Sequence, residues 1–538
     1  MCGIAAALFH TPELQDWAKR TVDSMLDRIG HRGFRSLTRS EIVGLSCMGC
    51  VRLPIRDPIA GSQPSFNADQ SVASLFNGEI YNLNEFSGAM YPKGNSDTAL
   101  LPFIYRESAT APPDEDKLLG CRGMFAIIIH DLAARPETVR LLRDHVGIKP
   151  LFLAETSEGI LIASEAKAFL GEATLSVREI QPGSFETLTH QNGRWTQADI
   201  QDVRDRLRTG SGRAFDGSAA SIRQVVSQAV ASQWPGEDLP VAVLCSGGID
   251  SSVIAYELTK HRSERQPLIA YTARCVDADS GSSPADSIAA RRVCDALKIP
   301  CREIEITYDD LFNVLGDVIY HVETFEPNVV RNAAIQYHIM REIAGDGFRV
   351  AFCGEGADEL FWGYADFAAS PEPKILGLRL LNDLHRTQLQ RVDRIGMAHT
   401  VEVRVPFLDE TVVRLGLDLP AGGKHLSACG MWLGKALLRE AYADALPDEI
   451  VLRRKATMAF GAGFGGVEMN DEPMNCRSEA LLNSRGEDTA SMSARHPTAF
   501  PAGAKTPERA LYLQIYCALG FKLPSTYAAP TVAQLERA

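Results

Sequence analysis

The chain has 538 residues, of which 45% are hydrophobic, and a formal net charge of −13. A length of this size allows two to four globular domains. Because acidic and basic residues are mixed along the chain, the charge argues against a nucleic-acid partner bound by a basic footprint. The apolar runs are too short for a membrane span and no signal-peptide pattern opens the chain, so we expect no membrane partner and a cytoplasmic protein. The twelve cysteines are scattered, which fits buried thiols better than a disulfide framework.

The first chemically informative residue is Cys2, which directly follows the initiator Met1. Removal of the methionine would place a thiol and a free α-amine on one residue, and that amine, with an ordinary pKa of about 7.7–8.0, can accept the thiol proton. Cys2 is therefore a candidate nucleophile, although a chance cysteine gives the same pattern. Cys47 and Cys50 form a Cys-x-x-Cys pair, but the lack of a second pair at zinc spacing argues against a metal site there.

The chain divides into two regions by pattern. Short β-type runs broken by glycine turns predict a β-rich, two-layer domain over residues 2–190. Residues 191–215 are polar, charged and punctuated by glycine, which predicts a linker. From residue 216 to 538, apolar strands alternate with helical stretches, which predicts an α/β domain with a parallel sheet covered by helices.

The strongest motif lies at residues 243–252, where an apolar strand runs into Ser246, Gly247 and Gly248 and then into a helix. Two glycines let backbone N–H groups approach an anion, and the helix N-terminus adds its positive dipole end. Asp250 is suited to hold a Mg²⁺ ion that bridges phosphate oxygens. The order of strand, turn, hydroxyls and helix predicts nucleotide binding rather than an ordinary capped turn.

The loop lacks the Gly-Lys-Ser/Thr of the Walker type, so it need not serve γ-phosphate transfer. It resembles the pyrophosphate loop of ATP pyrophosphatases, which activate a carboxyl or carbonyl oxygen as an adenylate and release pyrophosphate. A second strand and glycine turn at residues 353–361 carries three acids. Acids on such a turn usually face solvent, but Asp358 could share a cation with Asp250 and the phosphates.

The chain as a whole resembles the glutamine-hydrolysing asparagine synthetases. The first domain carries motifs similar to those of class II glutamine amidotransferases: Cys2-Gly3-Ile4, His31-Arg32-Gly33, Arg52-Leu53, Phe76–Asn82, Ser96-Asp97, Gly123–Ala126, Arg143–Leu151 and Ala163–Lys167. The resemblance implies an α+β first domain, an antiparallel β-sandwich flanked by helices as in N-terminal-nucleophile hydrolases. It implies a second domain of the ATP-pyrophosphatase type, and in that domain it extends through Glu402–Asp409, Lys435–Glu440 and Arg453–Lys455.

By position, the resemblance makes Cys2 the nucleophile, with the Asn77 side chain and the Gly78 N–H as the oxyanion hole. The glutamine-binding residues that it implies are Arg52, Asn77, Gly78, Glu79 and Asp97. A zwitterionic amino acid needs a guanidinium for its carboxylate and carboxylates for its ammonium, and this set offers both. Asn77-Gly78 is also an ordinary hairpin signal, and the two readings are compatible because catalytic groups often lie on turns.

In the second domain, the resemblance implies residues for ATP, for the metal and for the acceptor. The implied ATP and pyrophosphate set is Leu244, Ser246, Gly247, Gly248, Asp250, Ser251, Ser252, Ala273, Cys353, Gly354 and Lys455. Lys455 would stabilise the charge that develops on the leaving pyrophosphate, and Glu355 is a candidate base for the incoming amine. Asp250 and Asp358 would hold the metal, and Arg331 would bind the acceptor.

Four stretches depart from the family pattern. Phe34-Arg35 stand where Pro-Asp is usual, which bears on how glutamine hydrolysis is gated. Asn328-Val329 replace a pair of threonines near the acceptor, and Phe460 stands where an acid is common. Residues 277–286 read as a longer acidic, serine-rich insertion.

The sequence therefore predicts a glutamine-dependent ligase that uses ATP and Mg²⁺. Glutamine hydrolysis would supply ammonia to an acyl-adenylate, with release of AMP and pyrophosphate. The default acceptor is aspartate, which would give asparagine, and the alternative is another carboxylic acid of specialised metabolism. A ring-forming synthetase that needs no ammonia is a further alternative, against which Cys2 argues. Members of the family often pair, so a homodimer stays open.

Overall fold

The computed structural model describes residues 2–55, 61–86, 96–204, 217–236, 239–263, 266–277, 285–428, 431–464, 472–501 and 504–522. The chain divides into two compact units, Met1–Arg213 and Ala214–Ala538. Among the described residues, we find no helix with both the length and the apolar character needed to cross a membrane.

The first unit is built on two six-stranded sheets in which neighbouring strands are antiparallel. Its strands are β1 (Cys2–Phe9), β2 (Thr38–Val43), β3 (Ser46–Arg52), β4 (Ser65–Phe66), β5 (Val72–Ile80), β6 (Gly123–Asp131), β7 (Thr138–Arg143), β8 (Phe152–Glu155), β9 (Gly159–Ala163), β10 (Ser176–Glu179), β11 (Ser184–Gln191) and β12 (Arg194–Asp202). The strand orders are β10-β8-β9-β1-β3-β2 and β12-β11-β7-β6-β5-β4. Its α-helices are α1 (Gln15–Arg28), α2 (Asp97–Tyr105) and α3 (Glu115–Leu119).

Alternation along β1 explains how the sheets stack. Ile4 and Leu8 point into a core shared with Leu75 of β5 in the other sheet. Ala5 and Ala7 point the opposite way and pack with residues of α1. Since successive side chains of a strand face opposite sides of its sheet, this pattern gives a sandwich with a helix outside it. The antiparallel sandwich flanked by helices is confirmed.

The hairpin of β11 and β12 differs from the sequence-based expectation, because it occupies residues assigned to the linker. Asn192 and Gly193 both have positive φ, 52° and 72°, as a two-residue hairpin turn requires. Trp195 of β12 is buried, and its indole N–H donates to the Phe9 carbonyl at 3.2 Å. This part of the segment therefore belongs to the second sheet and adds to its core.

The second unit contains a five-stranded parallel sheet, with strands β13 (Val241–Leu244), β14 (Leu268–Cys275), β15 (Cys301–Ile306), β16 (Val350–Phe352) and β17 (Glu402–Arg404). A short antiparallel pair, β18 (His425–Ala428) and β19 (Met431–Gly434), is separate from it. The helices are α4 (Ala219–Gln233), α5 (Ile249–Thr259), α6 (Ala285–Leu297), α7 (Tyr308–Asn313), α8 (Leu315–Val322), α9 (Pro327–Gly345), α10 (Ala357–Phe361), α11 (Asp366–Ala369), α12 (Pro373–Asp383), α13 (Gln388–Ala398), α14 (Glu410–Asp418), α15 (Ala436–Ala441), α16 (Asp448–Val451), α17 (Met458–Gly461), α18 (Glu472–Ser484), α19 (Thr489–Arg495) and α20 (Pro507–Ala518). The predicted α/β architecture is confirmed.

The strand order in the parallel sheet is β15-β14-β13-β16-β17. The side of the sheet on which the chain adds new strands therefore changes between β13 and β16. From β13 the chain proceeds outward through β14 and β15, and it then returns to add β16 and β17 on the other side. In open parallel sheets, ligands bind beyond the carboxyl ends of the strands at such a switch point. The two glycine turns that follow β13 and β16 lie at this place.

Candidate active sites

The first candidate site surrounds Cys2, the first residue of β1. Its side chain faces the sandwich core and the residue is only 5% exposed. Arg52 of β3 lies directly opposite it in the antiparallel register. The Cys2 backbone N–H donates to Asn77 Oδ1 at 3.1 Å, and Asn77 belongs to β5 of the other sheet. The thiol therefore lies where the two sheets meet.

Asn77 has a buried side-chain amide next to Cys2. Its side chain is fully buried, and Nδ2 has no hydrogen-bond partner in the part of the chain that the structure describes. Because Oδ1 accepts the Cys2 N–H, the amide orientation is fixed by the hydrogen bond and Nδ2 points elsewhere. An unpaired buried donor costs about 1–3 kcal/mol, so it marks a position that a ligand acceptor could fill.

Gly78 and Glu79 follow Asn77 on β5, and Asp97 begins α2. Asp97 Oδ2 accepts the Ile80 N–H at 3.2 Å, which ties the start of this helix to the end of β5. Glu79 and Asp97 are both buried. The structure thus places the five residues implied for glutamine on β3, on β5 and at the start of α2. Strand β3 pairs with β1, which carries Cys2, and β5 accepts the Cys2 N–H through Asn77.

Gly78 has no room for a side chain. A Cβ at this position would lie 2.0 Å from the Met124 carbonyl oxygen on β6, and its φ is +153°. We expect Gly78→Ala to separate β5 from β6 locally and to lower the free energy of unfolding by about 1–3 kcal/mol, which denaturant unfolding would measure. Gly316→Ala is a suitable control, since nothing lies within 4 Å of a Cβ there. A Gly78→Ala protein as stable as the wild type would contradict the close approach.

The surroundings of Cys2 favour its thiolate form. A hydrogen bond from the Cys50 side chain, the positive charge at the chain's amino end, the Leu53 N–H and the Arg52 guanidinium lower the pKa of Cys2 to about 6, although burial acts in the opposite direction. Burial holds the pKa of Cys50 well above its usual range, so that thiol remains a donor. A thiolate is the nucleophilic form of cysteine, and it would predominate here at neutral pH.

Two supporting side chains were not among the predicted site residues. Arg32 is fully buried, its Nε donates to the Cys2 carbonyl at 3.2 Å, and it pairs with Glu165 at 2.5 Å. Gln63 Nε2 lies 3.2 Å from Cys2 Sγ. In the sequence, Arg32 belongs to the His31-Arg32-Gly33 motif without being marked as a site residue, and no local pattern indicates a role for Gln63. Phe34 and Arg35, where the family pattern changes, are exposed, and the Phe34 N–H donates to the Arg52 carbonyl.

The second candidate site lies where the two glycine turns of the parallel sheet meet. A Cβ on Gly354 would fall 2.8 Å from Asp250 Cβ, so the turn after β16 lies directly against the start of α5. Ser251 Oγ accepts the Ser246 backbone N–H at 3.2 Å and holds the loop in shape. Leu244, Ala273 and Cys353 lie at the carboxyl ends of β13, β14 and β16.

Two lysines and two aspartates form a chain of charges at this place, and all of them except Lys455 are buried. Lys435 Nζ lies 2.6 Å from Asp250 Oδ2 and 2.5 Å from Asp358 Oδ1, and Lys455 Nζ lies 2.6 Å from Asp358 Oδ2. Against the effect of burial, the two ammonium groups lower the pKa of Asp358 well below its usual range. Burial raises the pKa of Asp250. The Lys455 side chain is 37% exposed, so it can also reach a ligand from solvent.

Lys435 is the residue of this cluster that the sequence-based site prediction missed. Its side chain is 2% exposed and its φ is +67°, an unusual conformation for a residue other than glycine. A lysine in a sequence normally indicates a solvated surface, because an isolated buried ammonium is unfavourable. Only the fold reveals that two aspartates distant in sequence compensate its charge.

The structure places Glu355 beside Arg391 of α13. The Arg391 guanidinium donates to Glu355 Oε1 and, at 3.0 Å, to Gln388 Oε1. Burial raises the pKa of the neighbouring Glu359 to about 7, and this carboxyl accepts the Tyr364 hydroxyl at 2.6 Å. The carboxyl predicted as a base is thus already oriented by a guanidinium.

Arg331, implied as the acceptor-binding residue, pairs with Glu508 of α20. Its Nε donates to Glu508 Oε1 at 3.1 Å, and a second contact joins NH2 to Oε2. Nearby, Arg509 NH2 lies 2.6 Å from Glu326 Oε2. The two ion pairs hold α20 against the start of α9.

The other residues that depart from the family pattern differ in how far they are buried. Asn328 is exposed, Val329 is buried, and Phe460 is 40% exposed. Most of the predicted insertion at residues 277–286 lies outside the described residues. Of that segment, Asp286 is described, and its carboxylate pairs with Arg453 at 2.6 Å.

Comparison with known proteins covers both units of the chain. The asparagine synthase family model matches residues 221–376 and 369–502, which together exceed half of the chain, and a glutamine amidotransferase domain model matches residues 1–223. The chain is 29% identical to asparagine synthetase [glutamine-hydrolyzing] 3 of Arabidopsis thaliana over 506 residues, covering 90% of this chain and 83% of that protein. It is 29% identical to asparagine synthetase B [glutamine-hydrolyzing] of Escherichia coli strain K12 over 496 residues, covering 88% and 83%.

Among solved structures, an allosteric regulatory enzyme of purine biosynthesis matches at a TM-score of 0.30 and 14% identity, covering 57% of this chain and 80% of that chain. That similarity is too low to add to the description of the fold. The family models and the relatives instead span both units. The chain belongs to the asparagine synthase family, as a carbon–nitrogen ligase with a glutamine amidotransferase domain.

Proposed function

We propose that this enzyme transfers glutamine-derived ammonia to a carboxylic acid that it has activated with ATP. The observation that carries the synthetase half is the meeting of Asp250, Asp358 and Lys455 beside a glycine loop at the switch point of a parallel sheet. A loop of this kind suits a polyphosphate, and the aspartates and lysine suit its counter-charges. The buried thiol supports the glutaminase half, together with Asn77 Nδ2, which has no hydrogen-bond partner among the described residues.

In the glutaminase half, the Cys2 thiolate would attack the side-chain carbonyl carbon of glutamine. The oxyanion would accept hydrogen bonds from Asn77 Nδ2 and the Gly78 N–H, and such a donor typically contributes about 2.7–4 kcal/mol to transition-state stabilisation. The carbon–nitrogen bond then breaks, and the leaving nitrogen takes up the proton that the Cys2 thiol had given up and departs as ammonia. Water hydrolyses the resulting thioester to glutamate and returns the thiol. Arg52 would bind the glutamine carboxylate, and Glu79 and Asp97 its ammonium.

In the synthetase half, an acceptor carboxylate oxygen would attack the α-phosphorus of ATP and pyrophosphate would leave. Lys455 would stabilise the charge that develops on the phosphates. Ammonia then adds to the acyl carbon, Glu355 accepts a proton, and the carbon–oxygen bond to AMP breaks. The amide, AMP and pyrophosphate are the products.

The residues at the second site fit a magnesium ion. Asp250 Oδ1 is buried and has no hydrogen-bond partner in the described residues. Two carboxylates together with phosphate oxygens are a common Mg²⁺ environment, whereas an all-protein cage is not. Asp250 and Asp358 would hold the ion, which would neutralise phosphate charge when bound.

Replacing Lys435 by methionine should destabilise the second unit. It would leave two buried carboxylates without their shared ammonium, and breaking a buried ion pair typically costs about 3–5 kcal/mol. Magnesium should restore part of this loss, because a cation that binds only the folded state stabilises it. Denaturant unfolding with EDTA and with Mg²⁺ would measure both effects. An equal response of wild type and variant to Mg²⁺ would contradict this account, and exposed Lys374→Met is the control.

The acceptor is aspartate in the first form of the proposal. The pairing of Arg331 favours a second form of the proposal, in which the enzyme amidates another carboxylic acid. Glu508 already pairs with the guanidinium that would otherwise bind the second carboxylate of aspartate. Val329 and Phe460 are apolar at positions where the family pattern is polar. Both observations suit a less polar acceptor.

A panel of carboxylic acids, supplied with ATP, Mg²⁺ and ammonium, would test the function. We expect AMP, pyrophosphate and one amide to form in equal amounts. If aspartate reacts no better than unrelated acids, the first form fails and the best acid in the panel identifies the acceptor class. If no acid gives AMP while the protein is folded, the proposed ligase chemistry is wrong.

A further inference from the structure

Gln63 lies in the glutaminase site with both ends of its side-chain amide engaged by the backbone of Phe76. The Phe76 N–H donates to Gln63 Oε1 at 2.6 Å, and Gln63 Nε2 donates to the Phe76 carbonyl at 2.9 Å. Gln63 is only 4% exposed. The two backbone groups fix which end of the amide is oxygen and which is nitrogen, since a flipped amide would oppose like groups at both contacts.

The second N–H of this amide reaches the nucleophile. Gln63 Nε2 lies 3.2 Å from Cys2 Sγ, and an amide nitrogen can only donate. The sulfur must therefore be the acceptor in this contact. A hydrogen bond to a charged group is stronger than one to a neutral group, so a fixed donor favours the thiolate over the thiol.

The amide also links the sulfur to the strand that carries the oxyanion residue. Phe76 directly precedes Asn77 on β5, and Asn77 accepts the Cys2 N–H. One contact thus fixes the backbone of Cys2 relative to β5, and the Gln63 contact fixes its sulfur relative to the same strand. Nucleophile and oxyanion donor are thereby held in a constant relation, as attack on an amide carbon requires.

Several other groups act on the same sulfur. They are the Cys50 thiol, the Leu53 backbone N–H and the Arg52 guanidinium, together with the positive charge at the chain's amino end. Arg32 acts on the Cys2 carbonyl instead. Gln63 differs from the charged groups because it is neutral at every pH, so its contribution does not change when the solution is titrated.

We propose that Gln63 is a positioning residue of the glutaminase site, which donates to the Cys2 sulfur, favours its anionic form and fixes it relative to β5. The inference rests on the proposed glutaminase function and adds a residue to it. The same hydrogen bond would assist departure of the sulfur when water cleaves the thioester, because negative charge then returns to that atom.

Alkylation of Cys2 by iodoacetamide over a pH series, followed by mass spectrometry of its peptide, tests the proposal without substrate. In the wild type we expect the rate to reach half its maximum near pH 6, in line with the lowered pKa of Cys2. Gln63→Met, of similar length but without a donor, should shift that midpoint upward by about one pH unit and lower the rate at pH 6 by roughly fivefold. Gln63→Glu should shift it further, because a carboxylate would face the sulfur.

Glutaminase kinetics supply the second readout. We expect Gln63→Met to reduce kcat for glutamine by at least about tenfold with little change in KM, since the amide touches the nucleophile and not the glutamine-binding residues. Ser65→Ala is the matched control. The Ser65 hydroxyl of β4 makes buried hydrogen bonds to the Ser74 hydroxyl and the Thr98 carbonyl, and neither bond involves the Cys2 sulfur. The substitution should lower thermal stability and leave the alkylation midpoint unchanged.

The outcomes separate the inference from the proposed function. A Gln63→Met protein with the wild-type alkylation midpoint overturns the inference, whatever its stability. Thermal unfolding followed by circular dichroism shows whether the first unit of each variant is folded, and Gln63→Glu repeats the test if Gln63→Met does not fold. A wild type that alkylates as expected but hydrolyses no glutamine would overturn the glutaminase function instead.

Discussion

Replacing Cys2 by alanine should abolish glutamine-dependent amide formation and leave ammonia-dependent formation close to the wild-type rate. The variant keeps the oxyanion donors but has no sulfur to form a thioester, and loss of a nucleophile typically costs a factor on the order of 10³ or more in kcat. The second unit contains none of the substituted atoms. Amide formation with glutamine and with ammonium, assayed side by side, would measure the separation.

Cys47→Ala is the matched control for this experiment. Cys47 is a buried thiol of β3 but packs on the α1 side of its sheet, away from the core that Cys2 faces. Its substitution should leave both activities unchanged. Undiminished use of glutamine by Cys2→Ala would refute the assignment of the nucleophile.

Replacing Lys455 by methionine should have the opposite effect, with loss of adenylation and retention of glutaminase activity. Lys455 contacts Asp358 and is exposed enough to meet phosphate oxygens, so its charge is available when pyrophosphate develops as a leaving group. Removal of one such stabilising group typically costs about 2.7–4 kcal/mol, or on the order of 10²–10³ in rate. Pyrophosphate release with ammonium as nitrogen donor, and glutamate release measured separately, would show the effect.

Lys374→Met, an exposed lysine of α12, controls for the loss of one positive charge. The comparison with Lys435 is also informative. Because Lys435 is buried between two carboxylates, its removal should affect stability first, whereas removal of the more exposed Lys455 should affect chemistry first. If Lys455→Met released pyrophosphate as fast as the wild type, the leaving-group role would have to be abandoned.

Much of the fold follows from local pattern. The short β-type runs that became β5, β6 and β9, and the apolar strands of the parallel sheet, can be recognised directly in a sequence, and the fold classes inferred from them are confirmed. The glycine loop after β13 could also be found, because strand, turn and helix are consecutive. These features depend on neighbours in the chain.

Other features depend on which distant segments meet. Gln63 acquires its position only when β5 brings Phe76 to it and β1 brings Cys2. Lys435 lies 185 residues from Asp250, one of the two aspartates that it contacts. The hairpin at Asn192-Gly193 had a recognisable turn signal, but the polar residues of β12 resemble a linker because that strand is mostly exposed. Trp195 alone marked it as part of a core.

The pairing of Arg331 with Glu508 has a practical consequence for protein engineering. Helix α20 closes the described part of the chain at its carboxyl side, and two of its side chains neutralise charges at the start of α9. Truncation or proteolytic trimming that removed this helix would leave Glu326 and Arg331 without these partners at a place where substrate is expected. A fusion partner at the amino end would mask the amine of Cys2. Affinity tags on this enzyme are therefore best attached beyond α20 through a cleavable spacer, with the helix itself intact.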